Sequence, residues 1–358
     1  MIAPPTQGIK YAGSKLKLLP AIIELANRVE VRTVFDAFAG TTRVGQAFAR
    51  LGKRVVSNDV AEWSRVFGLC YFKNERSPRF YAEIIEHLNG IGPKDGWFTE
   101  NYGGSPDVAA KRPWQIHNTR RLDAIRAEID NLALGEVETS VLLTSLILAL
   151  DAVDSTIGHH AAYLQNWSAR SFKTMRLEVP RLLEPGGRHD VLRGDVFDTL
   201  GQVSADLAYF DPPYGSNNEK MPPSRVRYAS YYHLWTTIVR NDRPELFGKA
   251  NRRVDSRDGT TGSVFEDFRR DGSGRFASVA AIERMIREVD ARFVLLSYSS
   301  GGRATAGQLS AILERCGRMI ETVKVDYRRN VMAKMRWTNE WIKESDEPNH
   351  EYLFLIEK

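Results

Sequence analysis

Four consecutive residues, Asp211-Pro212-Pro213-Tyr214, follow the apolar run Leu207-Ala208-Tyr209-Phe210 and carry the sharpest chemical signal in the chain. Such a run reads as a buried strand, so the carboxylate of Asp211 falls at the carboxyl edge of a sheet, where open α/β sheets bind their ligands. A carboxylate followed by the carbonyl of Pro212 offers two adjacent hydrogen-bond acceptors, and proline has no N–H of its own to compete. Two acceptors suit an exocyclic amino group on an aromatic base such as adenine. The lone pair of that nitrogen is delocalised into the ring, so it attacks only when its hydrogens are held and its developing positive charge is stabilised. Tyr214 adds a flat face on which an extruded base can stack. Taken alone, the tetrapeptide fits an ordinary proline-rich turn equally well.

A second set of residues lies near the N-terminus. Phe35-Asp36-Ala37-Phe38-Ala39-Gly40 leaves the short apolar strand Thr33–Asp36 and opens the helical stretch Arg43–Leu51. Gly40 lets backbone approach a ligand closely at the start of a helix. The next strand, Arg54–Ser57, runs into Asn58-Asp59. An acidic residue there, roughly 20 residues on, is placed to bind the ribose hydroxyls of a nucleoside cofactor. Strand, turn, helix and strand in that order make a βαβ unit and hence a parallel sheet.

The elements that must hold these groups follow from periodicity. Lys15 to about Val29 reads as a helix, with Ser14 as a plausible cap. From about Ala61 to Leu183 the strand signal vanishes. Helical patterns occupy 61–72, 79–89, 117–133 and 136–153, and a glycine- and aromatic-rich loop, Gly96–Gly104, lies between them. Strands resume at Asp190–Arg193, Asp206–Phe210, Arg292–Ser297, Ile320–Tyr327 and Tyr352–Ile356. The expected fold is α/β: a mostly parallel sheet with an antiparallel last strand, built from residues 1–72 and 186–358, plus a helical insert, 73–185. Asn241–Gly274 is polar and rich in Gly and Arg, and reads as a mobile loop.

The 358 residues give room for a full catalytic core plus an insert, and the net charge of +5 is compatible with a polyanionic partner. The two cysteines, Cys70 and Cys316, stand far apart, suit a reducing cytoplasm and form no metal-ligand pattern. The most apolar stretch, Val141–Val153, is too short to span a bilayer, so no membrane association is expected.

The motifs together resemble the adenine-specific DNA methyltransferases of restriction–modification systems, in the arrangement where cofactor motifs precede the catalytic tetrapeptide. Lys10-Tyr11-Ala12-Gly13-Ser14-Lys15 resembles the N-terminal cofactor motif of that family, and Asp36-Ala37-Phe38-Ala39-Gly40 its glycine motif. Ser57-Asn58-Asp59 resembles its ribose-binding motif. Gly194-Asp195-Val196-Phe197 resembles the segment whose aspartate contacts the cofactor's adenine. Asp211-Pro212-Pro213-Tyr214 matches its catalytic motif in all four residues. Thr42 departs from the pattern, since the family often carries a second glycine there.

The resemblance implies an S-adenosylmethionine-dependent methyltransferase with the Rossmann-like sheet of that class. Asp211, Pro212 and Tyr214 would be catalytic. Lys10, Tyr11, Gly13, Lys15, Asp36, Phe38, Gly40, Asp59, Asp195 and Val196 would bind the cofactor. Double-stranded DNA would be the substrate, and a cognate restriction endonuclease the functional partner. An RNA adenine methyltransferase, or an inactive DNA-binding protein on the same scaffold, remains as an alternative; label transfer to DNA against RNA separates them.

Other features are less specific. His159 and His160 suit either a site role or packing. Arg225, Arg227, Tyr228, Tyr231, Tyr232 and His233 suit phosphate contacts and base stacking, or the first turns of an amphipathic helix with Leu234 and Ile238 inward. Lys324, Arg328, Arg329, Lys334 and Arg336, with Trp337 and Trp341, suit a DNA-facing loop or a solvated face. DNA contacts are expected from the insert and from residues 216–274.

Overall fold

The computed structural model describes residues 2–107, 111–215, 228–257, 262–272, 274–326 and 350–358. Arg225 and Arg227, and the basic cluster apart from Lys324, lie outside the described residues, as do parts of 216–274.

Among the described residues seven strands form one sheet: β1 (Thr33–Asp36), β2 (Arg54–Asp59), β3 (Asp190–Arg193), β4 (Ser204–Phe210), β5 (Asp290–Ser299), β6 (Arg318–Asp326) and β7 (His350–Glu357). Their spatial order is β6-β7-β5-β4-β1-β2-β3. Strands β1 to β5 pair in parallel, and β7 runs antiparallel to both β5 and β6. The mostly parallel sheet with an antiparallel last strand is thus as the sequence led us to expect.

Alternation along the strands sends successive side chains to opposite faces. Val34, Leu207 and Leu295 face one core, and Phe35, Ala208 and Leu296 the other. Among the described residues the helices are α1 (Leu19–Ala26), α2 (Arg43–Arg50), α3 (Glu62–Gly68), α4 (Pro78–Gly90), α5 (Trp97–Tyr102), α6 (Ile116–Asn131), α7 (Glu136–Ala152), α8 (Val196–Thr199), α9 (Tyr228–Tyr231), α10 (His233–Arg240), α11 (Ala277–Glu288) and α12 (Ala306–Cys316). The first core takes Ile22 and Ile23 of α1, Phe67 of α3, and Val141, Leu142 and Leu146 of α7. The second takes Ile282 and Met285 of α11 and Leu309 and Leu313 of α12. Helix α7 is apolar nearly all round because it is buried nearly all round. No helix among the described residues is long and apolar enough to cross a membrane.

Four local expectations change. The N-terminal helix starts at Leu19, after a 3-10 turn at Lys15–Lys17, because Pro20 belongs in a first turn; Ser14 makes no side-chain cap. The segment Gly96–Gly104 is not a loop but carries α5. Its free N-terminal donors are bound from outside: Asp123 on α6 accepts the N–H groups of Phe98 at 3.0 Å and Thr99 at 2.8 Å, and the Thr99 hydroxyl at 2.6 Å. The stretch without strand signal holds one two-residue parallel pairing, Gly103–Gly104 with Trp114–Gln115. The described part of Asn241–Gly274 is anchored, since the buried Arg253 pairs with Asp242 at 2.6 and 2.7 Å and with Asp255 at 2.8 and 2.9 Å.

Candidate active site

Parallel pairing places the ends of β1, β2 and β4 side by side, so their terminal carboxylates Asp36, Asp59 and Asp211 share one edge. The chain leaving β1 is tied to both neighbours, Ala37 donating to the Tyr209 carbonyl at 3.2 Å and Ala39 to the Asn58 carbonyl at 2.9 Å. Gly40 then takes φ +48°, and a side chain there would meet the Tyr11 ring at 3.3 Å. Thr42 has φ 59°, left-handed and unusual for a β-branched residue. The family's glycine fits because this backbone is one that glycine adopts freely. In this chain Thr42 holds the same turn, and Gln46 Nε2 donates to its hydroxyl at 3.0 Å.

Asp59 braces the turn, with Oδ2 accepting the Gly40 N–H at 2.8 Å and Oδ1 the Ala61 N–H at 2.8 Å. Burial raises its pKa above the usual carboxylate range. Asp36 is 1% exposed; its Oδ2 accepts the Gly45 N–H at 3.0 Å, while its buried Oδ1 has no partner. Burial pushes Asp36 up to about 7, with the charges of Asp211 and Asp59 adding to the effect. Tyr11, Gly13, Lys15, Asp36, Phe38, Gly40 and Asp211 line one small cleft at this edge.

At Asp211 the arrangement is denser than the motif suggests. Lys15 Nζ lies 2.9 Å from Asp211 Oδ1 and 2.9 Å from Glu351 Oε1 on β7. The Tyr214 hydroxyl bonds Asp211 Oδ1, lies 2.5 Å from Glu351 Oε1 and accepts from Lys15 Nζ at 2.5 Å. Ser297 on β5 donates to Glu351 Oε1 at 2.8 Å. Burial opposes the charge on Lys15, but the carboxylates of Asp211 and Glu351 outweigh it and hold the ammonium above the ordinary lysine range. Burial pushes Asp211 up to about 6, against the pull of Lys15 and with the help of Glu351.

The other sequence candidates have contacts of their own. Lys10 turns toward the end of α7 and pairs with Asp151 at 3.1 Å and Asp154 at 3.2 Å. Lys15 lines the cleft and pairs with Asp211, because that carboxylate and Glu351 are the partners a buried ammonium needs. Asp195 caps α8 by accepting the Phe197 N–H at 3.0 Å, and the Val196 side chain is buried in the second core. Pro212 is buried, and the Tyr214 ring lies against Tyr298 with centroids 4.8 Å apart rather than standing free as a platform.

His159, His160, Tyr231, Tyr232 and His233 are all buried, so each has a packing role. His159 stacks on Tyr231 at 4.3 Å, and burial pushes its pKa down to about 4. Tyr228 and Tyr232 fold back onto the N-terminal motif, with the Tyr232 hydroxyl accepting the Ala12 N–H at 2.6 Å and its ring stacked on Tyr11 at 4.6 Å.

Glu351 and Ser297 were not read from the sequence as site residues. Their signal was phase: both stand on strand positions whose neighbours two residues away, Leu353 and Leu295, face the first core.

Fold and site together define a methyltransferase of the S-adenosylmethionine-dependent fold class, with a carboxylate-led tetrapeptide at the sheet edge. The chain belongs to the D12 class N6 adenine-specific DNA methyltransferases, the family whose pattern matches residues 11–267. It is therefore an enzyme that methylates adenine in DNA. Over 366 residues it is 28% identical to the type II methyltransferase M.NlaIII of Neisseria lactamica, covering 98% of this chain and 99% of that protein. It is 26% identical over 342 residues to the modification methylase StsI of Streptococcus sanguinis, spanning 90% of this chain and 48% of that protein. It is 28% identical over 310 residues to the modification methylase LlaI of Lactococcus lactis subsp. lactis, spanning 82% of this chain and 46% of that protein.

Proposed function

We propose that this chain methylates an adenine extruded from duplex DNA, with S-adenosylmethionine as the methyl donor, as the modification enzyme of a restriction–modification system in the cytoplasm. The cognate endonuclease would be a functional partner. The observation that carries the reading is the position of Asp211, at the carboxyl edge of β4 and on the wall of the cleft beneath the Gly40 turn.

The residues fit the cofactor. Asp36 Oδ1 is a buried acceptor without a partner, ready for an ammonium such as that of a methionine portion. Gly40 leaves a cradle that a side chain would fill, and Asp59 stands where ribose hydroxyls are held. Asp195, at the exposed start of α8, would meet the adenine end, with the backbone at Val196 beside it. Lys10, turned to α7, would shape the N-terminal segment from outside the cleft. S-adenosylmethionine would supply a methyl on a sulfonium to the amino nitrogen, with the thioether as leaving group and one amino proton to be taken up.

The chain's own residues orient the nitrogen and hold its charge. Asp211 and the Pro212 carbonyl would accept the two amino hydrogens, and Asp211 would be the base for the proton that leaves. Tyr214 would turn its ring to the extruded base. The insert 73–185 and segment 216–274 would supply phosphate and groove contacts.

The test is transfer of tritiated methyl from S-adenosylmethionine to unmethylated genomic DNA and to RNA, followed by nucleoside analysis. N6-methyladenine in DNA, lost in Asp211→Ala, supports the proposal. Label confined to RNA, or undiminished in Asp211→Ala, overturns it.

A further inference from the structure

The last strand brings a carboxylate into a site that the catalytic motif alone does not complete. Glu351 is 6% exposed and stands two and four residues before Leu353 and Leu355, which are core residues on the same face of β7. Its Oε1 accepts from Lys15 Nζ at 2.9 Å, from Ser297 Oγ at 2.8 Å and from the Tyr214 hydroxyl at 2.5 Å. The same lysine and the same hydroxyl also engage Asp211 Oδ1. A half-buried and a buried carboxylate thus share one ammonium and one hydroxyl, and both of these donors already engage Asp211 Oδ1.

This sharing sets a physical problem and supplies its answer. A buried ammonium paired with a single carboxylate does not let go, because release strands both charges in a poor solvent. A buried ammonium held between two carboxylates can loosen from one while staying bonded to the other. The tyrosine hydroxyl, with one hydrogen to give, is in the same position. We propose that Glu351 is a positioning residue for methyl transfer: it retains Lys15 and the Tyr214 hydroxyl when the adenine amino group takes over Asp211 Oδ1. This rests on the reading of Asp211 as the acceptor of that amino group. Glu351 touches neither base nor cofactor in this scheme; it acts through Lys15 and Tyr214. Ser297 fixes its carboxylate from β5, so the holding point is as rigid as the sheet.

The charges around Asp211 make the role measurable. Lys15 pulls its pKa down and Glu351 pushes it up, while Asp36 on β1 also faces it; the hydroxyls of Tyr209 on β4, Tyr11 and Tyr228 complete the ring of titratable neighbours. Removing the charge on Glu351 therefore moves the acid limb of the rate profile to lower pH. Removing Lys15 moves it to higher pH. A side chain that merely fills space shifts neither.

The experiment compares wild type, Glu351→Gln, Lys15→Met and the double variant, all as full chains. Methyl transfer is measured with enzyme in excess over unmethylated genomic DNA, from pH 5 to 9, with S-adenosylhomocysteine affinity and thermal melting alongside. We expect Glu351→Gln to slow single turnover by roughly ten- to a hundredfold, with its acid limb displaced downward and S-adenosylhomocysteine affinity within about twofold. The double variant should be faster than Glu351→Gln, because no lysine is left to hold Asp211 Oδ1. A Glu351→Gln enzyme with wild-type rate and profile overturns the proposal. So does a folded but slow Glu351→Gln whose pH limb is unmoved and whose activity Lys15→Met does not restore. Asp211→Asn run beside them separates the two readings: near-normal turnover there removes Asp211 as the acceptor, whatever Glu351 does.

Discussion

Asp59→Ala tests how the cofactor would be held. In the structure both carboxylate oxygens are engaged, Oδ2 by the Gly40 N–H and Oδ1 by the Ala61 N–H, each at 2.8 Å. A carboxylate oxygen has a second lone pair, so ribose hydroxyls could bind without displacing these donors. Alanine removes that charged acceptor, worth about 1.5–3 kcal/mol, which is roughly a 10- to 150-fold loss of affinity. It also unties the Gly40 turn, so the observed loss should fall in the upper part of that range. Two backbone donors lose a charged partner as well, so stability should fall by about 2–4 kcal/mol. Asn retains one acceptor oxygen but turns an NH2 toward the second N–H, so its losses should be intermediate. The assay is calorimetric binding of S-adenosylhomocysteine well below the melting temperature, with Asp211→Ala as the control that should bind within about twofold of wild type. A folded Asp59→Ala with unchanged affinity would refute the ribose assignment, and an equal loss in the Asp211→Ala control would show general collapse of the cleft instead.

Asp211→Ala should cut single-turnover methylation on the order of 10²–10³-fold or more while sparing fold and DNA binding, because it removes a preorganised acceptor at the reacting nitrogen; tritium transfer reads it directly. Asp123→Ala should lower stability by about 2–3 kcal/mol, seen in thermal melts, since α5 loses the acceptor of three hydrogen bonds at 2.6 to 3.0 Å. Asp36, pushed up to about 7 in the fold against a usual 3.8, keeps a proton that the unfolded chain releases. Its stabilisation is present below the usual carboxylate range and lost as pH rises to about 7, so Asp36→Asn should flatten the fall in melting temperature between about pH 4 and 7. Affinity for duplex DNA should drop steeply and linearly in log–log form with added salt, as released counterions require; a flat response in filter binding would contradict phosphate contacts.

The sheet was legible because its strands carry period-two or fully apolar runs. Asp211, Asp36, Asp59 and Gly40 were legible because parallel strands must bring their ends to one edge. What the sequence hid was set by distant partners. Helix α5 reads as a loop because its cap is not at its own N-terminus; Asp123 reaches it from α6, and Gly96 leaves room for that carboxylate, whose Oδ1 would lie 2.6 Å from a side chain there. His159 and Tyr232 stayed open between a site role and packing because polar tips look alike on a surface and in a core. Only packing against Tyr231 and Tyr11 shows which holds.

Glu351 shows where pattern reading stops and chemistry begins. A strand that alternates cleanly should place an apolar residue at its position, and a lone buried carboxylate there would cost several kcal/mol. Phase alone therefore identifies Glu351 as anomalous but does not say with what it pairs. Its cation, Lys15, comes from the opposite end of the chain, 336 residues away in sequence. The pairing exists because β7 inserts antiparallel between β5 and β6, bringing the start of the last strand to the edge where β4 ends. Reversing that strand would carry Glu351 to the far edge of the sheet. The antiparallel strand is thus part of the site's chemistry: it puts a second carboxylate within reach of the lysine that guards the first.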